Sequence, residues 1–339
     1  MASVLASYAE LPLERYRVRF TTTASLNSRF KSAEHLPAAL LALLRTAERR
    51  PRPLVHVHLA DGGSLLREGA VLRLARFLGL PTVATMHASH LQSVVADDRA
   101  RLSDVLGNAH VVHALGPTTA ALIRDTIGSS PEIVVVPNCV TVRRSTGPAG
   151  ANAPRALFAG EISLRKGVDV LLEAWTGVRS AVPDAELLVL GKPRDVGLHR
   201  RLDGLSWGGS VPRQRVLAEL DRCRVAVLPT RSEAQPMFVL EAMAAGRPVV
   251  TTPIAEIPGT VADVAGLVAV GDANALAAAL TSYLSYPDRA TTAGDVERRR
   301  AETYFSIVPV SRRVEEMYDE AIRRADHAEK WRRPSSRAS

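Results

Sequence analysis

The chain has 339 residues, which is too long for one ordinary hydrophobic core and suits two α/β domains of average size. Hydrophobic residues make up 46% and charged residues 23%, an ordinary balance for a globular protein, and no stretch reaches the roughly 20 apolar residues of a membrane-spanning helix. Two cysteines in unrelated contexts exclude a disulfide framework, and the start lacks the pattern of a secretory signal, so we expect a cytoplasmic protein.

The net charge of +8 comes from a basic surplus in the first half of the chain and another in its last 17 residues. Residues 1–149 hold 17 basic against 11 acidic side chains, and residues 323–339 hold six against two. A basic surplus attracts nucleic acid, an anionic membrane surface or a phosphorylated substrate. There is no helix-turn-helix pattern or zinc finger, and aromatic residues are only 4%, so we expect no nucleic-acid partner. Peripheral contact with the inner face of a membrane stays open.

The first half of the chain alternates apolar runs with helical spacing. Strands are predicted at 53–60, 81–87, 109–115 and 132–138, and helices at 65–78 and 117–127. This alternation indicates a parallel sheet with helices on both faces. The chain opens on an amphipathic helical segment, so either the first strand of this domain is missing or its start is atypical.

A segment rich in Gly, Pro, Ser and Thr at 141–154 is the predicted linker, after which the alternation restarts. Strands are predicted at 156–160, 185–191, 225–230, 248–252 and 266–270, and helices at 167–181, 213–221 and 237–245. We therefore expect two doubly wound domains, at 1–145 and 146–305. A closing helix at 306–325 and a disordered basic tail at 326–339 complete the predicted organisation.

Three loops of the second half follow predicted strands, where open α/β sheets bind ligands. In the loop 160–167, Arg165 and Lys166 stand at a helix start, which favours a bound anion as much as a solvated cationic turn. In the segment 231–248, Glu233 lies in a loop and Glu241 on the following helix, suited either to sugar hydroxyls or to ordinary surface roles. The segment 206–212 is predicted as a compact turn that could receive a nucleobase.

These segments resemble the family-4 retaining glycosyltransferases. EAQPMFVLEAMAAGRPVV is similar to the signature of that family with two glutamates eight positions apart, and FAGEISLRKGVDVLLEAW to its strand-loop-KG-helix segment. SWGGSVPRQRVLAELDRCRVAVLPT resembles its base-binding stretch, and the three occur in the order of the family. The resemblance implies a GT-B fold, in which two Rossmann-like domains face a cleft and the donor nucleotide binds the C-terminal one.

The resemblance also implies roles for individual residues. Lys166, helped by Arg165, would bind the donor diphosphate, Glu233 would lie beside the transferred sugar, and Glu241 would hold the ribose. The remaining donor-binding residues that it implies are Trp207, Val211, Met237, Phe238 and Val239. No metal ligands are visible, so no cofactor is expected beyond the donor substrate, a nucleotide diphosphate sugar.

In the first half, PTVATMHAS resembles the strand of that family that ends in His-Gly-Ser, which implies a catalytic role at the cleft for His87. Gly63 and Ser64 occupy a similar cleft-facing loop on the acceptor side. His56 and His58 alternate along a buried strand and are interpreted as structural. A metal pair of His87 with His90 lacks further ligands in the sequence.

Some positions depart from the family pattern. Glu161 stands where an arginine is usual, and Ala234-Gln235-Pro236 replace Gly-Phe-Gly, so that Pro236 donates no amide. The glycine pair expected near the N-terminus is missing as well.

The reaction implied is transfer of a hexosyl group, with retention, to an unidentified acceptor that is a glycan, a lipid-linked molecule or a small molecule. The alternatives are a catalytically inactive sugar-nucleotide-binding protein and a sugar-nucleotide epimerase.

Overall fold

A computed structural model describes residues 8–23, 35–60, 63–87, 91–128, 130–144 and 147–332. The chain divides into two compact units. The N-terminal unit consists of Leu11–Pro137 with the chain from Ser311 onward, and the C-terminal unit consists of Asn138–Val310 with the chain up to Glu10. Each unit is built on one parallel sheet, which confirms the predicted α/β class.

The N-terminal unit has a four-stranded parallel sheet in the order β1-β2-β3-β4. Its elements are α1 (Leu36–Ala47), β1 (Val55–Leu59), α2 (Gly63–Phe77), β2 (Thr82–Met86), α3 (Leu91–Leu106), β3 (Val111–Ala114), α4 (Pro117–Ile127) and β4 (Glu132–Val135). Strands β2 and β3 are buried along their whole length, so neither shows the alternation of polar and apolar residues that a half-exposed strand has. No strand precedes Val55 within residues 8–23 and 35–54.

The C-terminal unit has a five-stranded parallel sheet in the order β7-β6-β5-β8-β9. Its elements are β5 (Arg155–Ala159), α5 (Val168–Ala181), β6 (Glu186–Leu190), β7 (Leu205–Gly209), α6 (Arg213–Arg222), β8 (Val225–Leu228), α7 (Met237–Ala244), β9 (Val249–Thr251), α8 (Ile257–Thr260), α9 (Ala273–Ser285) and α10 (Pro287–Arg300). The central strand β5 pairs with both β6 and β8. The loops that follow these strands therefore meet at one edge of the sheet.

Two predictions for this unit need correction. The segment 206–212 is not a single turn, because its first residues form β7 at the edge of the sheet. The serine and glycines of β7 do not form the apolar run by which the other strands are recognised, and an edge strand covered on one side does not need such a run. The strand predicted at 266–270 is only a single bridge between Leu267 and Thr251, preceded by a 3₁₀ turn at Val264–Gly266.

The predicted end of the chain also needs correction. The last helix, α11, spans Ile307–Arg332 and does not stop at 325, so the predicted disordered tail begins within it. Glu320 forms an ion pair with Arg324 one turn later, and Arg324 forms another with Glu132. Such pairs stabilise a charged helix. The polar composition of its last turns is similar to that of a disordered tail, which is why the sequence predicts too early an end. Residues 333–339 lie outside the described residues.

None of the described helices combines the length and the apolar character needed to cross a membrane.

Candidate active site

Three of the predicted site residues converge at the carboxyl edge of the C-terminal sheet. Lys166 and Arg165 lie in the loop after β5, and Glu233 lies in the loop after the neighbouring strand β8. The Lys166 ammonium contacts Oε1 of Glu233, and the Arg165 guanidinium lies 3.5 Å from the same oxygen. The Lys166 and Glu233 side chains are only 14% and 9% exposed, so the pair is held away from bulk water.

The backbone around Lys166 is fixed by a close approach between loops. Gly167 has a φ of +72°, and a Cβ there would lie 1.8 Å from the carbonyl oxygen of Pro229. Only glycine fits such a position, and α5 begins at the next residue. Arg231 reinforces the contact from the β8 side, because its two terminal nitrogens donate to the Asp169 carboxylate at 2.7 and 2.8 Å. The two loops therefore form one cross-linked edge.

Helix α7 begins at this edge and contains the residues predicted to offer backbone amides. The first amides of a helix have no partner within it, and they carry the positive end of the helix dipole. The Val239 amide donates to the carbonyl oxygen of Pro236 at 3.2 Å. Within the described part of the chain, the Met237 and Phe238 amides have no such acceptor. Only these two of the three predicted amides remain free to meet an anion.

Glu241 lies one turn further along α7 and is buried, with 6% of its surface exposed. Its Oε1 accepts a hydrogen bond from Nε of Arg213 at 2.6 Å. Burial raises the pKa of the Glu241 carboxyl, while the bond and the charge of Arg213 act against that shift. Arg213 is the first residue of α6, so a helix start again supplies a cation.

Trp207 and Val211 belong to the third predicted segment, 206–212, which the structure divides between β7 and the loop after it. Trp207 lies on the edge strand β7, where its indole N–H donates to the carbonyl oxygen of Arg200 and its ring stacks on His199 at 4.3 Å. Val211, between β7 and α6, is half-buried against the core of the unit. The indole N–H of Trp207 therefore already has an acceptor within the protein. Val211 lies two residues before Arg213 in the sequence.

Two sequence families match the two halves of the chain. Residues 153–286, which include all of these loops, match the family described as glycosyl transferases group 1, and residues 3–144 match the family described as glycosyltransferase family 4. The chain belongs to glycosyltransferase family 4. The family and the predicted GT-B fold are thus confirmed.

Relatives in sequence agree with this assignment. The glycosyltransferase is 27% identical over 308 residues to a glycogen synthase of Mycobacterium tuberculosis, which covers 80% of this chain and 70% of that protein. It is 31% identical over 229 residues to a phosphatidyl-myo-inositol mannosyltransferase of Mycobacterium leprae, covering 60% of this chain and 58% of that protein.

Two solved structures share its fold. The sucrose-phosphate synthase from Thermosynechococcus elongatus superposes with a TM-score of 0.65 at 21% identity, covering 92% of this chain and 82% of that one. The Anabaena protein HepE, solved in complex with UDP-glucose, gives a TM-score of 0.68 at 17% identity, covering 89% and 85%.

The N-terminal unit of the glycosyltransferase contains the other predicted residues. His87 directly follows β2, and its Nε2 lies 2.7 Å from Nδ1 of His58 on the adjacent strand β1. Ser64, in the first turn of α2, is buried and accepts a hydrogen bond from the Ala60 amide at 2.9 Å. Gly63 begins that helix, and its ideal Cβ would lie 3.0 Å from a terminal nitrogen of Arg67.

The charge state of His87 is set by its surroundings. Burial lowers the pKa of His87 well below its usual value, and the nearby imidazoles of His58 and His113 lower it further. The ring is therefore neutral at pH 7, with one nitrogen donating and the other accepting. His90, the partner considered for a metal pair, lies outside the described residues. Among those that are described, no group of three or more His, Cys, Asp or Glu side chains is arranged to hold a metal ion.

Sequence reasoning missed two residues that contact predicted site residues. Arg213 could have been found from its position, since a cation that directly follows Pro212 at a helix start is the same signal that drew attention to Lys166. His58 was interpreted as structural because strand alternation alone does not reveal which residue of the next strand it meets.

Proposed function

We propose that this glycosyltransferase transfers a hexosyl group from a nucleotide diphosphate sugar to an acceptor, with retention at the anomeric carbon. The observation that carries the proposal is the convergence of Lys166 and Arg165 on Glu233 at the start of α7. Two cations, free helix amides and a carboxylate at one sheet edge suit a donor that has a negative diphosphate next to a sugar rich in hydroxyl groups.

The bond that breaks joins the anomeric carbon to the diphosphate, so negative charge grows on the leaving group. Lys166, Arg165 and the amides of Met237 and Phe238 stabilise that charge, and fixed groups do so without reorganisation during the reaction. Because these cations balance the diphosphate, no metal ion is required in the proposal. Glu233 positions the sugar, the resemblance assigns a catalytic role to His87 of the N-terminal unit, and no covalent nucleophile is assigned.

The nucleotide of the donor is left open between uridine and guanosine. HepE was solved in complex with UDP-glucose, whereas a Corynebacterium glutamicum relative, 26% identical over 251 residues, is named as a GDP-mannose-dependent mannosyltransferase. In this protein the ribose would meet Glu241, whose paired Arg213 adds a cation beside the nucleotide. Neither contact distinguishes the two bases.

We further propose that the acceptor side of the enzyme meets an anionic membrane surface. Helix α1 buries Ala39 and Leu43, while Leu41 and Leu44 on its other side are 45% and 46% exposed. Arg45 is exposed beside them. An apolar strip flanked by a cation suits an interface of acyl chains and anionic headgroups. A lipid-linked acceptor is consistent with this surface.

The donor site is tested by thermal shift and calorimetry against UDP-, GDP- and ADP-sugars. We expect one base to give saturable binding that Lys166→Ala lowers at least tenfold, because a charge-assisted contact to the diphosphate is lost. Lys192→Ala is the matched control, since Lys192 is an exposed lysine on the loop after β6. Equal effects of the two variants would reject Lys166 as the diphosphate ligand. Binding without donor turnover would favour the inactive sugar-nucleotide-binding protein.

The membrane contact is tested by co-sedimentation with vesicles of phosphatidylcholine containing a third phosphatidylglycerol. We expect binding that falls in the double variant Leu41→Ser with Leu44→Ser and that weakens with salt. Pure phosphatidylcholine vesicles are the control. Equal binding of the variant and the unaltered enzyme would exclude α1 as the contact.

A further inference from the structure

A chain of hydrogen bonds crosses the N-terminal sheet from the last helix to the residue that follows β4. The Tyr318 hydroxyl of α11 lies 2.9 Å from Nδ1 of His56, and Nε2 of His56 lies 2.6 Å from Oγ1 of Thr85. Thr85 lies 2.7 Å from Nδ1 of His113, whose Nε2 lies 2.6 Å from the Val136 carbonyl oxygen. Three neighbouring strands and one helix are thereby connected.

The direction of every bond in this chain can be assigned. A carbonyl oxygen only accepts, so Nε2 of His113 donates to Val136. Burial lowers the pKa of His113 to about 4 and that of His56 well below its usual value, so both rings are neutral at pH 7. Nδ1 of His113 then accepts from Thr85, which accepts from Nε2 of His56. Because the neutral ring of His56 has its proton on Nε2, its Nδ1 accepts from the Tyr318 hydroxyl.

The fixed ring of His56 supports a second pair of imidazoles. His58, two positions on along β1 and on the same face, stacks on His56 with ring centroids 4.3 Å apart and an interplanar angle of 28°. His58 in turn stacks on His87 at 5.0 Å and 15°, and the two share the 2.7 Å hydrogen bond between Nδ1 and Nε2. Rotation of the His58 ring would break both contacts at once.

We propose that His58 is a positioning residue for His87, and that Tyr318 holds His58 in place through His56. The proposal rests on the role given to His87 in the proposed function. Because His58 occupies Nε2 of His87, the nitrogen left to meet a substrate hydroxyl is Nδ1. The last helix of the chain therefore takes part in orienting a residue that follows β2.

Two single-group changes test this arrangement in the full-length enzyme. His58→Phe keeps the aromatic stack and removes the hydrogen bond to His87, and Tyr318→Phe removes only the hydroxyl that donates to His56. Tyr16→Phe is the matched control: the Tyr16 hydroxyl donates to Asp319 of the same helix at 2.6 Å and does not belong to the histidine chain. All three variants place a phenyl ring at the altered position.

The first readout is the imidazole nitrogen spectrum of protein labelled with ¹⁵N-histidine, with the His87 signals assigned by their loss in His87→Asn. We expect His58→Phe to change the balance between Nδ1–H and Nε2–H forms of His87, Tyr318→Phe to change it in the same direction, and Tyr16→Phe to leave it unchanged. Unchanged His87 signals in His58→Phe overturn the proposal, whatever the activity. This readout does not depend on turnover.

The second readout is turnover of the sugar nucleotide that binds in the donor panel. We expect His58→Phe to lower kcat about tenfold with little change in donor KM, since misplaced catalytic groups cost rate more than binding. Adding Tyr318→Phe to His58→Phe should lower kcat no further, because both act through one contact. Additive losses reject the coupling. If instead His87→Ala keeps full turnover while its signals respond to His58→Phe, the role of His87 in the proposed function fails and the positioning contact stands.

Discussion

Mild acid should unfold the N-terminal sheet of this enzyme before the C-terminal one. The pKa of His113 is lowered to about 4 by burial, against 6.5 in an unfolded chain. The unfolded state therefore takes up the proton first, so the stability is complete above pH 6.5 and is lost as the pH falls from 6.5 towards 4. Between pH 7 and pH 5 this one ring costs about 2 kcal/mol of the free energy of unfolding.

The other rings of the cluster act in the same direction. Burial lowers the pKa of His58 to about 3 and lowers those of His56 and His87 well below 6.5. A protonated imidazole has no acceptor nitrogen, so each protonation also breaks one bond described above. The loss for the whole sheet therefore exceeds that of His113 alone, which is already a sizeable part of the roughly 5 to 15 kcal/mol that holds a domain together.

Hydrogen exchange followed by mass spectrometry measures this loss separately in each unit. Peptides covering β2 and β3 should lose at least about 2 kcal/mol of protection free energy between pH 7 and pH 5, after correction for intrinsic exchange rates. Peptides covering β8 serve as the internal comparison. In the C-terminal unit, burial raises the pKa of Glu241 and Glu297, and such a shift lowers the stability of the unit at higher pH and not on acidification.

One variant completes the experiment. His113→Asn should lose stability at pH 7, because two hydrogen bonds are disturbed, and should show a flatter dependence on pH because one titrating group is gone. Protection of β2 and β3 that stays constant from pH 7 to pH 5 would refute the reasoning, since it requires these imidazoles to keep ordinary pKa values.

Three further predictions concern the C-terminal unit. Gly167→Ala should lower the free energy of unfolding by about 3 kcal/mol in a denaturant titration, because the new Cβ meets a carbonyl oxygen. Gly197→Ala, also at positive φ but with open space around it, should lower it by about 1 kcal/mol. Equal losses would contradict the close approach at Gly167. Arg213→Met should lower the free energy of unfolding by about 2 kcal/mol, because buried Glu241 loses the cation paired with it. Adding Glu241→Gln should recover part of that loss. If nothing is recovered, the two residues are not coupled. Donor turnover should be unaffected by EDTA, and a loss that Mg²⁺ restores would reject the proposed metal-independent reaction.

Much of the fold could be predicted because each domain repeats a local signal. A fully buried strand such as β8 is a continuous apolar run, and the positions after such strands are where ligands bind in parallel sheets. The sequence therefore predicts both Lys166 and Glu233 in loops after strands, but it does not predict their contact. That contact depends on β5 and β8 being neighbours in the sheet while two other strands, β6 and β7, separate them in the chain.

The errors arose where neighbouring structure, not local sequence, decides the conformation. The edge strand β7 is recognised by its pairing with β6 and not by its own serine and glycines. The last turns of α11 are rich in charged residues, and the helix is held partly by the ion pair between Arg324 and Glu132, which are 192 positions apart. The histidine chain is likewise invisible in sequence, because strand alternation predicts which residues share a face and not which of them touch.

In the proposed function, the altered loop before α7 changes which groups would bind the donor diphosphate. Gln235 stands in place of the phenylalanine of the family pattern and is buried, and its side chain accepts from the Asn138 amide at 2.7 Å and donates to Thr260 at 3.2 Å. These bonds fix the loop without the usual glycines, but Pro236 supplies no amide and uses its own carbonyl oxygen to hold Val239. Fewer backbone donors are then left for a phosphate than the family pattern would give. More of the charge on the leaving group must be balanced by side chains, which is the physical reason to expect so large an effect from Lys166→Ala.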